Sequence, residues 1–345
     1  MTHTLSELTA STPRLALVGL AKNTGKTEAL AALLRERQAQ GICVGATSVG
    51  RDGEQRDVID NRIEKPRIWL SAGSLVASTD ALLRDSAVPY DLLEQTGVRT
   101  PLGRVLVARL RGAGAIEVAG PSAAAEVRAV CDVMLAHGAE QALIDGAIDR
   151  RAASSPHVAD GLVMSTGAVL DHDIDTVVAL TRDAVELARL PQVDDAYHEA
   201  SERERVTLPA RFALVAEPDR IERLLEEHPE ARWLAVEGAL PERFLAGLTQ
   251  PLRRLRRELT IVVADPTHVF LDRHSPGWYA RHGIALQALQ RIRLQALTVN
   301  PVAPQSHRFD SERLRELLRE AVPDVPIFDV LAADYAGARA PIASG

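Results

Sequence analysis

Cysteine is nearly missing from this chain: Cys43 and Cys131 are the only two in 345 residues. Neither stands in a metal-like spacing, so a disulfide framework and a cysteine zinc site are both excluded, which fits a reducing compartment. Aromatic residues make up only 3% of the chain. No apolar run approaches the length of a membrane span, and the opening MTHTLSELTASTPR lacks the apolar centre of a signal peptide, so a cytoplasmic location without membrane association is expected. A surplus of basic charge is also missing. The formal net charge is -7 and the isoelectric point is near 5.8, which argues against non-specific binding to nucleic acid or to an anionic membrane. The ten histidines are scattered without ligand spacing, and neither a Ser-His-Asp arrangement nor an internal repeat is visible.

What is present concentrates in residues 15–27, LALVGLAKNTGKT. The apolar run 15–20 suits a buried strand of a parallel sheet. A small polar turn, 22–27, follows it and opens directly into a helix-forming run over 28–37. Strand, glycine-containing turn and helix start together suit a polyphosphate, because the first helical turn presents unpaired N–H groups and the positive end of the helix dipole. Gly25 lets the backbone approach phosphate, Lys26 can bridge the terminal phosphates, and the Thr27 hydroxyl can hold Mg2+. The expected ligand is a nucleoside triphosphate, ATP with Mg2+. Its expected contacts are Gly19, Lys22, Asn23, Thr24, Gly25, Lys26, Thr27 and Glu28. The strict phosphate-loop pattern wants glycine at position 20, where Leu20 stands, and the glycine sits one step earlier. That offset resembles the loop of dethiobiotin synthetase and its relatives in the SIMIBI class of P-loop proteins. The signature lysine of that class falls in register with Ala21, not with Lys22.

Three acids are candidates for ordering the metal and its waters. The charged, glycine-rich segment 50–54 leaves a second strand over 42–49 and would reach over the triphosphate, where Asp52, or else Glu54, could hold Mg2+ directly or through water. Asp145 ends an apolar strand on a neighbour of the first one. Ligands of open parallel sheets bind outside the carboxyl ends of the strands, and its Asp-Gly-Ala is similar to the Glu-Gly-Ala of dethiobiotin synthetases. Lys26, Asp145 and Asp149 form the expected catalytic set, with Asp149 positioning water and Arg150 stabilising charge, unless those last two simply pair. Ser165, Thr166 and Gly167 end a further strand where small hydroxyls could meet a base or substrate. Asn300 resembles the asparagine that reads a purine in some SIMIBI members, although Asn-Pro also commonly starts a turn.

The length predicts two α/β domains. Residues 1–13 read as a flexible arm and 14–190 as a P-loop NTPase core with a mostly parallel, doubly wound sheet. Residues 191–206 read as a linker and 207–345 as a second α/β lobe. Strands are expected there over 212–216, 233–237, 260–264, 294–299 and 327–331. Glu237-Gly238, Asp265 to His268 and Asn300-Pro301 would line a second cleft. Between the sites, the pattern predicts a helix over 81–95, a hairpin of 104–110 with 115–119, and Ser122 as a helix N-cap. The arginine run 253–257 reads as a solvated helix end.

Taken together, GLAKNTGKT, TSVGRDGE, EKPRI, TPLG, AGPS, DGAIDR, STGA and VNPVAP resemble the P-loop family found beside lysine 5,6-aminomutase in lysine-fermenting bacteria. That resemblance implies a partnership with a cobalamin-dependent aminomutase and a mismatch-repair-like ATPase. The implied job is reactivation, in which ATP drives exchange of damaged cobalamin. A homodimer is compatible with it. Two other functions compete: a ligase resembling dethiobiotin synthetase, which phosphorylates a carboxylate held by residues 55–101, and a nucleotide-binding regulator with little turnover.

Overall fold

The structure, a computed structural model, describes residues 4–50, 67–147, 151–304, 307–332 and 335. The chain forms two compact units, one of Met1–Thr181 with Leu294–Gly345 and the other of Arg182–Arg293. It leaves the first unit inside the helix Ile174–Ala188 and returns just before the strand Leu294–Asn300. No helix among the described residues is long and apolar enough to cross a membrane.

The first unit is built on a nine-stranded, mostly parallel sheet, as an α/β reading requires. From edge to edge its strands are Ile327–Phe328, Leu294–Asn300, Gly161–Gly167, Arg14–Gly19, Gln141–Ala147, Val44–Ser48, Leu75–Thr79, Gly103–Leu110 and Tyr90–Thr100. All pairings are parallel except the last two. The strand Arg14–Gly19 is central, and its apolar run is buried because neighbours cover both edges and helices cover the faces. The helix Lys26–Ala39 turns Leu30, Leu33 and Leu34 into the same core as Leu15, Leu17 and Leu143. Each such leucine contributes about 2 kcal/mol by leaving water.

Several expectations need correction. The N-terminal segment is not a loose arm over its described part. Thr4 and Glu7 form a capping box on the helix Leu5–Thr9, Leu5 is fully buried, and Gln141 Nε2 donates to the carbonyls of Thr9 and Thr12. The stretch expected as a helix over 81–95 is helical only at Asp80–Asp85, and Tyr90–Thr100 is an edge strand paired with Gly103–Leu110. The turn of that hairpin is therefore Pro101-Leu102, whereas Gly114–Ile116 pairs with Ile68–Leu70. The helix Ala124–Ala136 starts from Ala123, not Ser122.

The second unit carries four parallel strands in consecutive order, Arg205–Leu208, Trp233–Val236, Leu259–Val263 and Ile284–Ala288. The expected linker contributes the helix Asp195–Glu199 and the start of the first of these strands. The expected strand at 212–216 is instead the short helix Phe212–Val215, and the last two expected strands of the lobe belong to the first unit's sheet. At the end of Leu259–Val263, Asp265 is fully buried and caps the turn Pro266–His268 through the N–H of Thr267 at 2.8 Å. Burial alone would raise its pKa, but bonds from His268 and Thr267 outweigh burial and hold it low, and the same contact raises His268. In the arginine run, Arg257 is not merely solvated: it donates to the carbonyls of Leu225, His228 and Ala231, closing the end of Pro218–Glu227.

Candidate functional site

The buried strand Arg14–Gly19 delivers the chain to a fixed place at the carboxyl end of the sheet. The turn beyond it takes its shape from two left-handed residues, Asn23 with φ +64° and Gly25 with φ +82°, a conformation that glycine and asparagine adopt most readily. Thr24 is buried, and its hydroxyl donates to the Ala21 carbonyl at 3.0 Å. A Cβ on residue 19 would come within 2.5 Å of that hydroxyl. The one-step glycine offset therefore has a steric cause in Thr24. Leu20 donates its N–H to Ser165 in the neighbouring strand at 2.9 Å, tying the turn to the sheet.

The helix Lys26–Ala39 starts directly from Gly25 with no side-chain cap. Its first-turn N–H groups have no intrahelical acceptor. Lys26 extends to Asp145 and pairs its ammonium with Oδ1 of the carboxylate. Apart from that ammonium, this buried oxygen has no hydrogen-bond partner among the described residues. Asp145 lies level with Leu17 on one side and Ser48 on the other, two residues before its strand ends. A cation and an acid far apart in sequence thus meet beside an uncapped helix start.

The far side of the turn is held by Asn300. It sits in the first unit's sheet rather than in the second cleft where the sequence pattern had placed it. Its Nδ2 donates to the Asn23 carbonyl at 3.0 Å, and its Oδ1 accepts the N–H of Val302 at 3.1 Å. A Cβ at Gly25 would lie 2.9 Å from the Asn300 Cβ, and one at Gly167 would lie 2.2 Å from its carbonyl oxygen. Two glycines therefore make room for one asparagine. Ser165 and Thr166 do not face a ligand: Ser165 bonds Thr298 at 2.7 Å and Thr166 bonds Thr181 at 2.6 Å, all of them buried.

Beside Asn23 opens a cleft of about 380 Å³ lined by Val169, Leu170, Asp171, His172, Ala303, Pro304 and His307. The rings of His172 and His307 lie 4.4 Å apart at 34°, and His307 Nε2 is 3.0 Å from the Asp171 carbonyl. No family model matches the chain, and no curated protein or solved structure matches it either.

Of the residues expected from sequence, the structure gathers Gly19, Asn23, Thr24, Gly25, Lys26, Asp145 and Asn300 around one turn. Lys22, Thr27 and Glu28 are exposed on the turn and the first helical residues. Asp52, Glu54, Asp149 and Arg150 lie outside the described residues. No group of three or more His, Cys, Asp or Glu side chains suited to a metal ion occurs among the described residues. Among the described residues, a metal here would draw on the Thr27 hydroxyl and Asp145. The histidine pair escaped sequence reasoning because its members are remote in sequence, and the only signal was that each stands just beyond the end of an apolar strand.

Proposed function

We propose that the first unit binds a nucleoside triphosphate with Mg2+ and passes its γ-phosphoryl group to water. The observation that carries this reading is the pairing of Lys26 with the buried Asp145 Oδ1 next to a helix start that lacks a cap. An ammonium held by a single carboxylate, beside uncapped amides, fits a polyphosphate, and an acid oxygen with no other partner fits a metal ion or its water. On binding, Lys26 exchanges its carboxylate partner for terminal phosphate oxygens, and Asp145 is released to orient water. The Thr27 hydroxyl stands on the first turn to share in holding the ion. Bound Mg2+ would neutralise charge on the β- and γ-phosphates. The cleft beside Asn23 has the size to take the base, which would lie against the mutually packed pair His172 and His307.

The wider role we propose is the one that the sequence resemblance implies, a switch or reactivating chaperone for a cobalamin-dependent aminomutase. Phosphate release from ATP and Mg2+ should be measured with the protein alone, with small carboxylates, and with purified aminomutase. The Lys26→Ala variant should release phosphate at least about a hundredfold more slowly while keeping its circular dichroism spectrum. Unchanged turnover would remove the nucleotide reading. Stimulation by a small acid alone would point to a ligase instead, and stimulation by the mutase alone supports the chaperone.

A further inference from the structure

The cleft beside Asn23 holds more than ring surface. Asp171, in the connection after the strand Gly161–Gly167, is the only carboxylate among the residues that line it. Its Oδ1 accepts the Asp173 N–H at 2.9 Å, which steadies the group from one side. Oδ2 has no partner among the described residues, and the side chain is exposed. The main-chain groups nearby are already committed. The Asp171 carbonyl accepts from His307 Nε2 at 3.0 Å, and the Asn23 carbonyl accepts from Asn300 Nδ2 at 3.0 Å. The Val302 N–H goes to Asn300 Oδ1 at 3.1 Å, and the Ala303 N–H goes to the His307 carbonyl at 2.9 Å. Whatever enters the cleft is therefore read by side chains, and the carboxylate among them can only accept.

We propose that the nucleotide is a guanine nucleotide and that Asp171 selects the base. The inference rests on the nucleotide reading above and decides only which purine enters, guanine in place of the adenine expected from sequence. Guanine carries two neighbouring donors on its Watson–Crick edge, the N1–H and the 2-amino group. A carboxylate offers about four lone pairs, so Oδ2 and the second lone pair of Oδ1 can take both donors while Asp173 stays bonded. Bonds to such an acceptor are about twice as strong as those between neutral groups. Adenine presents one amine beside a bare ring nitrogen, whose lone pair would face the carboxylate. A main-chain carbonyl and N–H in tandem would suit adenine, and those at the cleft are taken. A bidentate contact to a base discriminates by about 10- to 100-fold. ATP is then the weaker ligand, still bound and turned over at higher concentration.

The test is calorimetry on the full chain with Mg2+ and the β,γ-imido triphosphates of guanosine, adenosine, inosine and xanthosine. The guanosine compound should bind about 10- to 100-fold more tightly than the adenosine one, with inosine, which lacks the 2-amino group, between them. Asp171→Asn keeps an acceptor oxygen for the Asp173 N–H, so the turn stays, but it places an amide donor against the 2-amino group. The variant should lose the guanosine preference and favour xanthosine, whose C2 carbonyl accepts from an amide. A role in folding alone would weaken all four alike. Equal binding of guanosine and adenosine by the wild type, a preference for adenosine, or a guanosine preference that survives in Asp171→Asn would each overturn the choice of base and leave the nucleotide site standing. Binding of none of the four would remove both readings.

Discussion

The turn at 20–25 and the loop at 272–274 use the same backbone donors to opposite ends. In the second unit, three consecutive N–H groups close on a carboxylate that the chain itself supplies, Glu242. In the first, the helix that follows Gly25 has no side-chain acceptor at its start. A cluster of amides is an anion site only where the protein leaves out its own anion. By that criterion the first unit's turn is open to a phosphate, and the second unit's loop is already filled.

The largest effect should come from emptying the filled loop. Glu242→Gln replaces one acceptor oxygen with an amide donor, leaving at least one of the inward-facing N–H groups without a partner in a nearly buried place. The expected loss is about 2–3 kcal/mol of the second unit's stability, read by urea unfolding with the second unit's Trp233 and Trp278 as fluorescent reporters and Trp69 of the first unit replaced by phenylalanine. Acid sharpens the same test. Burial alone would raise the pKa of Glu242, but the N–H groups of Asp272 and Arg273, with His274 and Tyr279, outweigh burial and hold it at about 2, against an ordinary 4.5. A pKa lowered on folding contributes stability in full above 4.5, and that contribution fades as pH falls toward 2. The wild-type second unit should therefore lose stability across that window, and Glu242→Gln should flatten this part of the profile. An unchanged profile would mean that the carboxylate does not organise the loop.

The contrast was only half legible in the sequence. Residues 14–28 announced themselves because strand, turn and helix are contiguous, and each reads from its own residues. Asp145 was legible for the same reason, as a polar residue near the end of an apolar run. Glu242 was not, because nothing in PERF distinguishes a loop-organising acid from an ordinary first-turn glutamate, and its partners lie about thirty residues downstream. Sheet membership was hidden as well. Leu294–Asn300 looks like any apolar strand of the second unit, yet it pairs with Gly161–Gly167 after the whole inserted unit has intervened. A strand's own residues give its type, whereas its neighbours are chosen by tertiary packing. Tyr90–Thr100 failed differently. As an edge strand it is exposed along much of its length, and its residues lack the apolar–polar alternation that marks a half-buried strand.

A smaller effect is expected from closing the open turn by steric means. Gly25→Ala puts a Cβ on a left-handed residue, at a cost of about 1–2 kcal/mol, and brings that atom to 2.9 Å from the Asn300 side chain. Nucleotide affinity should fall by about tenfold while the second unit's unfolding is unaffected. Equal destabilisation of both units would show that the turn is not an independent feature.

The smallest effect separates two roles for Asn300. Its amide already holds the turn, donating to Asn23 and accepting from Val302, and the surrounding surface is exposed enough for water to replace both bonds. Asn300→Ala should therefore cost about 1 kcal/mol, roughly a fivefold loss in nucleotide affinity. If the side chain acts only by shaping the turn, ATP and GTP weaken by the same factor. If it reads the base, the loss falls mainly on one purine. With Oδ1 and one Nδ2 hydrogen engaged within the protein, the expected outcome is the equal loss, measured by calorimetry with both nucleotides in the presence of Mg2+. A selective loss would mean that the Asn23 contact breaks when nucleotide enters, and that the turn is held in the bound state by the phosphates instead.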